Sequence, residues 1–245
     1  MSDIDPEFEA RNRALIERMA ADESLRELSR EWVMRTVPYE YAYHFTWMGM
    51  PIIQLPADIL AIQEIICRVR PQLIIETGVA RGGSIVFYAS LLELLGIDGR
   101  VIGVELELRP HNRRAIESHA MAKRIEVIDG SSISPEVIER VRARAAGRAP
   151  ILVVLDSNHT HAHVLKELEL YGALVTEGSY LIVLDTIVED VPGSLYPGKA
   201  YRPGDNPKTA LREFMTRSQR FMVDPEYDRK LLVTSAPGGY LRCIG

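Results

Sequence analysis

Cysteine is scarce in this chain of 245 residues: Cys67 and Cys243 are the only two, far apart and without the spacing of metal ligands. A disulfide framework is therefore not indicated, and a reducing cytoplasm is the expectation. Long apolar runs are missing as well, and none approaches the length needed to span a bilayer. There is no basic block. With a net charge of -5, nucleic acid is a poor candidate for a partner. The opening stretch MSDIDPEFEARNR is acidic and lacks the apolar core of a signal peptide, so the chain is expected to be soluble and intracellular. What remains is an ordinary globular composition, 47% hydrophobic and 26% charged, enough for one large α/β domain with a sizeable core.

Residues 6 to 35 are charged and amphipathic, with apolar positions at Phe8, Leu15, Ile16, Met19, Leu25, Leu28, Trp32 and Val33. Asp22 is placed to cap a break between two helices. A helical arm over 1–38 with one apolar stripe packs on its own domain or on a second copy of the chain, and the expectation here is a homo-oligomer. The stretch YEYAYHFTWMGMPI (39 to 52) is dense in aromatics and fits neither period, so it reads as a covering loop or as a ligand-facing one.

Beyond it the chain alternates. Strand-like runs stand at 73 to 76, 101 to 105, 125 to 129, 151 to 156 and 180 to 185, with helical spacing near 84 to 95, 110 to 121, 134 to 146 and 161 to 175. Continuous apolar strands alternating with helices imply a parallel sheet covered on both faces. The segment 188 to 210 carries four prolines and three glycines, and a loop that long inside a domain is functional or disordered. A helix near 207 to 217 follows. KLLVTSAPGGYLRCI then reads as two strands around Pro237, Gly238 and Gly239, antiparallel because the turn is short.

IIETGVARGGS (74 to 84) places glycines directly after a buried strand, where backbone can come close to a ligand. In open α/β sheets, ligands bind beyond the carboxyl ends of the strands. All five strands end there in an acid: Glu76, Glu105, Asp129, Asp156 and Asp185. A glycine-rich turn with an acid 22 residues after Gly83 is how such folds hold a ribose, through Glu105. The spacing G-x-x-x-G-G is not that of a dinucleotide site. Glu76 ahead of the turn suits a positively charged ligand better than a pyrophosphate. A nucleoside cofactor with positive charge, S-adenosyl-L-methionine, fits both features.

Asp156 and Asp185 end adjacent strands and so come within reach of one ion. Two carboxylates with water and substrate oxygens suit Mg²⁺; each acid alone could equally cap the following helix. In HTHAH, only His159 and His163 share a helical face, and nothing supplies further zinc ligands.

ETGVARGGS followed by VIGVELEL, LDSNHTHAHVL, GSYLIVLDTI and TSAPGGYL resembles the cephalosporin hydroxylase / rhamnosyl O-methyltransferase family of class I methyltransferases, from about Tyr43 to Gly245. The resemblance implies a Rossmann-like, doubly wound, seven-stranded sheet with an antiparallel last strand, over 39–245. It implies that Glu76, Gly78, Gly82, Gly83, Ser84, Glu105 and Asp129 line the S-adenosylmethionine site. It also implies an O-methyltransferase acting on a hydroxyl of a sugar, rhamnosyl-type, or of a glycosylated metabolite, with Asp156 and Asp185 as metal ligands. The family's other name leaves a hydroxylase or methoxylation component as the alternative, and a non-catalytic cofactor-binding homologue as a third. Metal-dependent relatives carry two acids in tandem at the fifth strand end. Here Leu184 stands before Asp185, so one ligand is missing unless Thr186, Glu189 or Asp190 replaces it. His159 lies three residues after Asp156, where catechol-type relatives place a lysine base. It would take the acceptor's proton, or hold Asp156 or the substrate hydroxyl. Asp156 is the other candidate for the base.

Overall fold

Alternating side chains fix the sheet. In β1 (Leu73–Thr77), Leu73 and Ile75 belong to one buried cluster and Ile74 to the other, as a period of two requires of a strand covered on both faces. The computed structural model describes residues 5–245, so the first four residues of the expected arm lie outside them. Six further strands join β1: β2 (Arg100–Glu105), β3 (Ile125–Asp129), β4 (Ile151–Leu155), β5 (Tyr180–Val183), β6 (Phe221–Val223) and β7 (Tyr240–Cys243). Their order is β3-β2-β1-β4-β5-β7-β6. Neighbours from β3 to β5 pair in parallel, while β7 runs antiparallel to both β5 and β6. The expected seven-stranded sheet with its antiparallel last strand is present.

The expected closing hairpin is not. Residues 231 to 239 form no strand, and β7 pairs instead with Phe221–Val223, which the sequence reading passed over. The reason is a competing partner. Asp58, fully buried, accepts hydrogen bonds from the Thr234 hydroxyl, from Ser235 N and Oγ at 2.8 and 3.0 Å, and from the Tyr240 hydroxyl at 2.7 Å. Ser235 spends its backbone N on Asp58 and its carbonyl on Ile187 N at 3.1 Å and so is not free for a ladder, whereas Tyr240 reaches Asp58 by its side chain and keeps its place in β7.

Helices α1 (Pro6–Ala20) and α2 (Glu23–Thr36) form the arm, and Asp22 caps the second by accepting Leu25 N at 3.1 Å. α1 buries no residue; it lies along α9 (Pro225–Lys230), joined by an Arg229–Glu17 ion pair. Phe8 and Leu28 remain about three-fifths exposed, at 61% and 60%. The helix α3 (Pro56–Val69), absent from the sequence reading, packs with α4 (Gly83–Leu94) on one face of the sheet. α6 (Pro135–Ala145), α7 (His161–Gly172) and α8 (Pro207–Arg217) cover the other, while α5 (Pro110–Glu117) follows β2. Each Ile or Leu so enclosed contributes roughly 1.5–3 kcal/mol. The aromatic stretch before α3 makes two short 3-10 turns and a small antiparallel ladder, Thr46–Trp47 on Met50–Pro51. Trp47 lies edge-on to Phe87 and donates to Ser90 Oγ at 3.0 Å, which is why α4 is enclosed nearly all round. No helix among the described residues is long and apolar enough to cross a membrane.

Candidate active site

From β1 the chain winds outward through β2 to β3 and then crosses back to β4 on the other side of β1, and this reversal opens a crevice at the carboxyl ends. A cleft of about 520 Å³ occupies it, lined by Gly78, Ala80 and Glu105, by the backbone turn Gly130–Ser132, and by Asp156, Asn158 and His163. A larger cavity of about 630 Å³ lies between α2 and the 227 to 240 segment and contains none of the glycine-turn residues.

The glycines of the turn serve the protein's own packing first. A Cβ on Gly78, where φ is +89°, would stand 2.0 Å from the Asp156 carbonyl oxygen; one on Gly83 would stand 2.2 Å from that of Pro51. Close backbone approach is the reason for both, as expected, but what approaches is the neighbouring strand end and the loop before α3. Gly78 still lines the cleft, while Gly82 packs on Ile116.

Glu105 holds the turn. Its Oε2 accepts Val79 N at 2.9 Å and Ala80 N at 2.8 Å, and its Oε1 accepts Leu106 N at 3.0 Å. Asn112, from α5, adds a bond from Nδ2 to Ala80 O at 2.9 Å. Glu76 and Ser84 are placed otherwise than expected. Glu76 is fully buried behind the turn, accepting Ser84 Oγ at 2.6 Å and the Tyr88 hydroxyl at 2.8 Å. Burial pushes its carboxyl up to about 8, so at neutral pH it is mostly uncharged and offers little attraction to a cation. Asp129 stands outside the cleft and pairs with Arg113 at 2.5 Å.

Beyond the turn, Asp156, His159 and Asp185 gather, with one donor atom of each within 4.8 Å of the others. Asp185 follows β5 in a left-handed conformation, φ +55°. Neither acid's side chain caps a helix: Thr160 and Asp205 occupy the start of α7, where His161 N donates to Asp205 Oδ1 at 2.8 Å, and Asp185, at the N-cap position of the 3-10 turn Thr186–Asp190, makes no side-chain cap bond. Burial first, then the facing charge of Asp185, raises the Asp156 carboxyl well above the usual range. Two facing carboxylates to which no Lys or Arg among the described residues is paired are an arrangement that a divalent ion relieves, and the oxygen and imidazole donors suit one. The other histidines point elsewhere. His161 meets Thr209 Oγ1 and Glu213 Oε2 at 2.9 and 3.0 Å, and His163 meets Ser132 Oγ at 3.0 Å.

The candidate replacements for the missing acid are all engaged. Thr186 is buried and donates to Pro237 O at 3.0 Å. Glu189 accepts Gly204 N at 2.8 Å, Asn206 Nδ2 at 2.6 Å and Arg212 at 3.3 Å. Asp190 pairs with Lys208. The proline-rich segment is therefore an ordered cover, pinned by Glu189 and Asp205.

That cover brings in tyrosines that sequence reasoning missed. Tyr201 stands edge-on to His159, centroids 5.0 Å apart, and Tyr196 stands 5.5 Å from Tyr201. Tyr43 arrives from the aromatic stretch. Burial and the Asp185 carboxylate raise all three phenols, Tyr201 to about 12. An aromatic residue among prolines and glycines, as in PGKAYRPGD, was the available signal.

The family model described as Rhamnosyl O-methyltransferase/CmcI matches residues 39–244. A rhamnosyl O-methyltransferase of Mycobacterium tuberculosis (strain ATCC 25618 / H37Rv) is 30% identical over 199 residues, covering 80% of this chain and 77% of its own. One of Mycobacterium leprae (strain TN) is 30% identical over 202 residues, covering 80% and 82%. Among solved structures, CmcI with Mg and SAM superposes with a TM-score of 0.59 at 20% identity, covering 83% of this chain and 78% of that one.

Proposed function

The chain belongs to the Rhamnosyl O-methyltransferase/CmcI family, and from that premise we propose that it is an S-adenosylmethionine-dependent O-methyltransferase acting on a hydroxyl of a sugar or glycosylated metabolite. The observation that carries this is Asp156, which lines the same cleft as Gly78 and Glu105 and also gathers with His159 and Asp185 into one group of donors. S-adenosylmethionine supplies the electrophilic methyl group, and a divalent cation supplies charge that favours the acceptor's alkoxide.

Glu105 would receive the ribose hydroxyls, and Gly78 and Ala80 of the turn, which line the cleft beside it, would face the cofactor. Asp156 and Asp185 hold the cation. Orienting an alcohol oxygen in line with the methyl group is the larger part of the protein's task, because the reaction is a displacement. The tyrosines stand where they flank such an acceptor: their faces suit the C–H face of a sugar ring, and their hydroxyls suit its oxygens. Two groups stand where the departing proton can go, the imidazole of His159 and the carboxylate of Asp156. Glu76, Ser84 and Asp129 support the cofactor site from behind the turn and from outside the cleft.

Residues 1–38 form an arm on a catalytic domain spanning 39–245. The exposed Phe8 and Leu28 support a homo-oligomer through that arm, and two free cysteines suit the cytoplasm. Incubation with methyl-labelled cofactor and a panel of rhamnosides and other glycosides, with and without Mg²⁺, tests the activity. Label in a sugar ether is the expected result. Absence of label across the panel, with S-adenosylhomocysteine still bound, leaves cofactor binding without this acceptor class.

A further inference from the structure

Leu184 occupies the position at which a second acid would stand, and its side chain is not available to be replaced in place. It is 2% exposed and belongs to the apolar cluster shared with α3 and α4. Thr186, Glu189 and Asp190 are bound elsewhere, as described above. Among the described residues, the group able to complete a three-donor site is therefore Asp156, Asp185 and His159.

The geometry of the imidazole fits a ligand. His159 Nε2 lies 3.1 Å from Asp185 Oδ2, close in distance but without the alignment of a hydrogen bond. His161, in the same turn, does make an aligned bond to its own glutamate at 3.0 Å. Two donors on adjacent corners of an octahedron with bonds of about 2.1 Å are about 3 Å apart, and neither points at the other. The ring is also held from one side: Tyr201 stands edge-on at 5.0 Å with an interplanar angle of 89°.

We propose that His159 is the third protein ligand of the cation, through Nε2, in compensation for Leu184, and that the site consequently prefers Mn²⁺ or Co²⁺ to Mg²⁺. The inference rests on the cation site proposed above and deepens it. Mg²⁺ takes oxygen donors and dehydrates reluctantly, whereas imidazole suits later first-row ions. A site of two carboxylates and one imidazole shifts the balance toward the latter. With Nε2 engaged, the acceptor's proton is left to Asp156: the O–H bond breaks, the proton passes to the Asp156 oxygen not spent on the cation, and the electron pair stays on the acceptor oxygen that takes the methyl group.

The test reads the ligand directly. Full-length protein is loaded with Mn²⁺ and examined by pulsed electron paramagnetic resonance for modulation from a directly bonded nitrogen. Mn²⁺ and Mg²⁺ affinities are measured in parallel by calorimetry on wild type, His159→Gln and His159→Asp, with thermal melting as the check of folding. Nitrogen modulation in wild type is expected, lost in His159→Gln together with about tenfold or more of the Mn²⁺ affinity. In His159→Asp, binding should return with its preference moved toward Mg²⁺. Bound Mn²⁺ without nitrogen modulation in wild type overturns the role of His159 and leaves the two-carboxylate site standing. Wild type that binds no divalent ion overturns both. The wild-type spectrum decides the matter even if a variant fails to fold.

Discussion

Replacing Glu76 by Gln should make the protein more stable in neutral and alkaline solution, by an amount that grows with pH. Glu76 has no exposed surface, and its burial pushes the carboxyl to about 8 from an ordinary 4.5. Below pH 4.5 native and unfolded chains both carry the proton. Between 4.5 and about 8 the native chain holds it and the unfolded chain has lost it, so wild-type stability falls as pH rises; above about 8 the loss is complete. At about 1.4 kcal/mol per pH unit, the whole window is worth about 5 kcal/mol. Gln has the shape of the protonated acid, with a carbonyl acceptor and an NH₂ group of two donors to offer Ser84 Oγ and the Tyr88 hydroxyl, and it cannot ionise. Urea unfolding of both proteins at closely spaced pH values between 5 and 9 gives the comparison. Groups common to both, Asp58 included, cancel in the difference. The gap in favour of the variant should widen by about 1.4 kcal/mol per pH unit up to pH 8 and then level off. A gap that stays constant from pH 5 to 9 refutes the buried, protonated Glu76.

Three further outcomes follow from the site. Glu105→Ala should weaken S-adenosylhomocysteine binding by about 1.5–3 kcal/mol or more, because the carboxylate lost to the ribose also anchors Val79 and Ala80; unchanged affinity by calorimetry in a folded variant removes Glu105 from the site. Asp156→Asn and Asp185→Asn should each lose turnover and recover part of it at raised cation concentration, and chelation should abolish turnover while S-adenosylhomocysteine still binds; full activity after exhaustive chelation contradicts the cation site. Tyr201→Ala should raise the acceptor KM about tenfold or more with cofactor affinity unchanged, and Tyr201→Phe should retain the stacking share of that effect; equal acceptor kinetics in all three proteins place Tyr201 outside the acceptor's reach.

The parallel part of the fold was legible because period and composition agree there. IEVID is a strand at 125–129 in the sequence reading and in the structure, and helix 207–217 coincides with its element as well. Legibility ended where a distant partner decides. Phe221–Val223 is too short to show a period, and it is a strand only because β7 offers it an edge. The 231 to 236 stretch reads as β by composition, yet Asp58, more than 170 residues earlier, claims its donors. In the site, the strand-end acids were legible as a set and their separate fates were not. Glu76 shares its strand face with Ile74, and Ser84 and Tyr88 lie four apart on the helix that covers this face. That pattern marks an inward-facing acid and could have been read. The tyrosine cover could not, since it depends on how a segment of prolines and glycines folds back.

The Asp58 clamp has a consequence for the order in which the molecule is made. The turn bearing Asp185 is held by the same segment that Asp58 holds: Ile187 N donates to Ser235 O at 3.1 Å, and Thr186 Oγ1 to Pro237 O at 3.0 Å. On a ribosome, β1 to β3 and the glycine turn emerge early and have nearby partners to close upon, whereas Thr234 to Tyr240 emerge about 50 residues after Asp185. Until they do, Asp58 is a helix carboxylate without the four donors that make its burial tolerable, and Asp185 has no fixed seat. The seat of Asp185 thus depends on a segment made about 50 residues after it, while the glycine turn is held by Glu105 and Asn112, both earlier in the chain than Asp185.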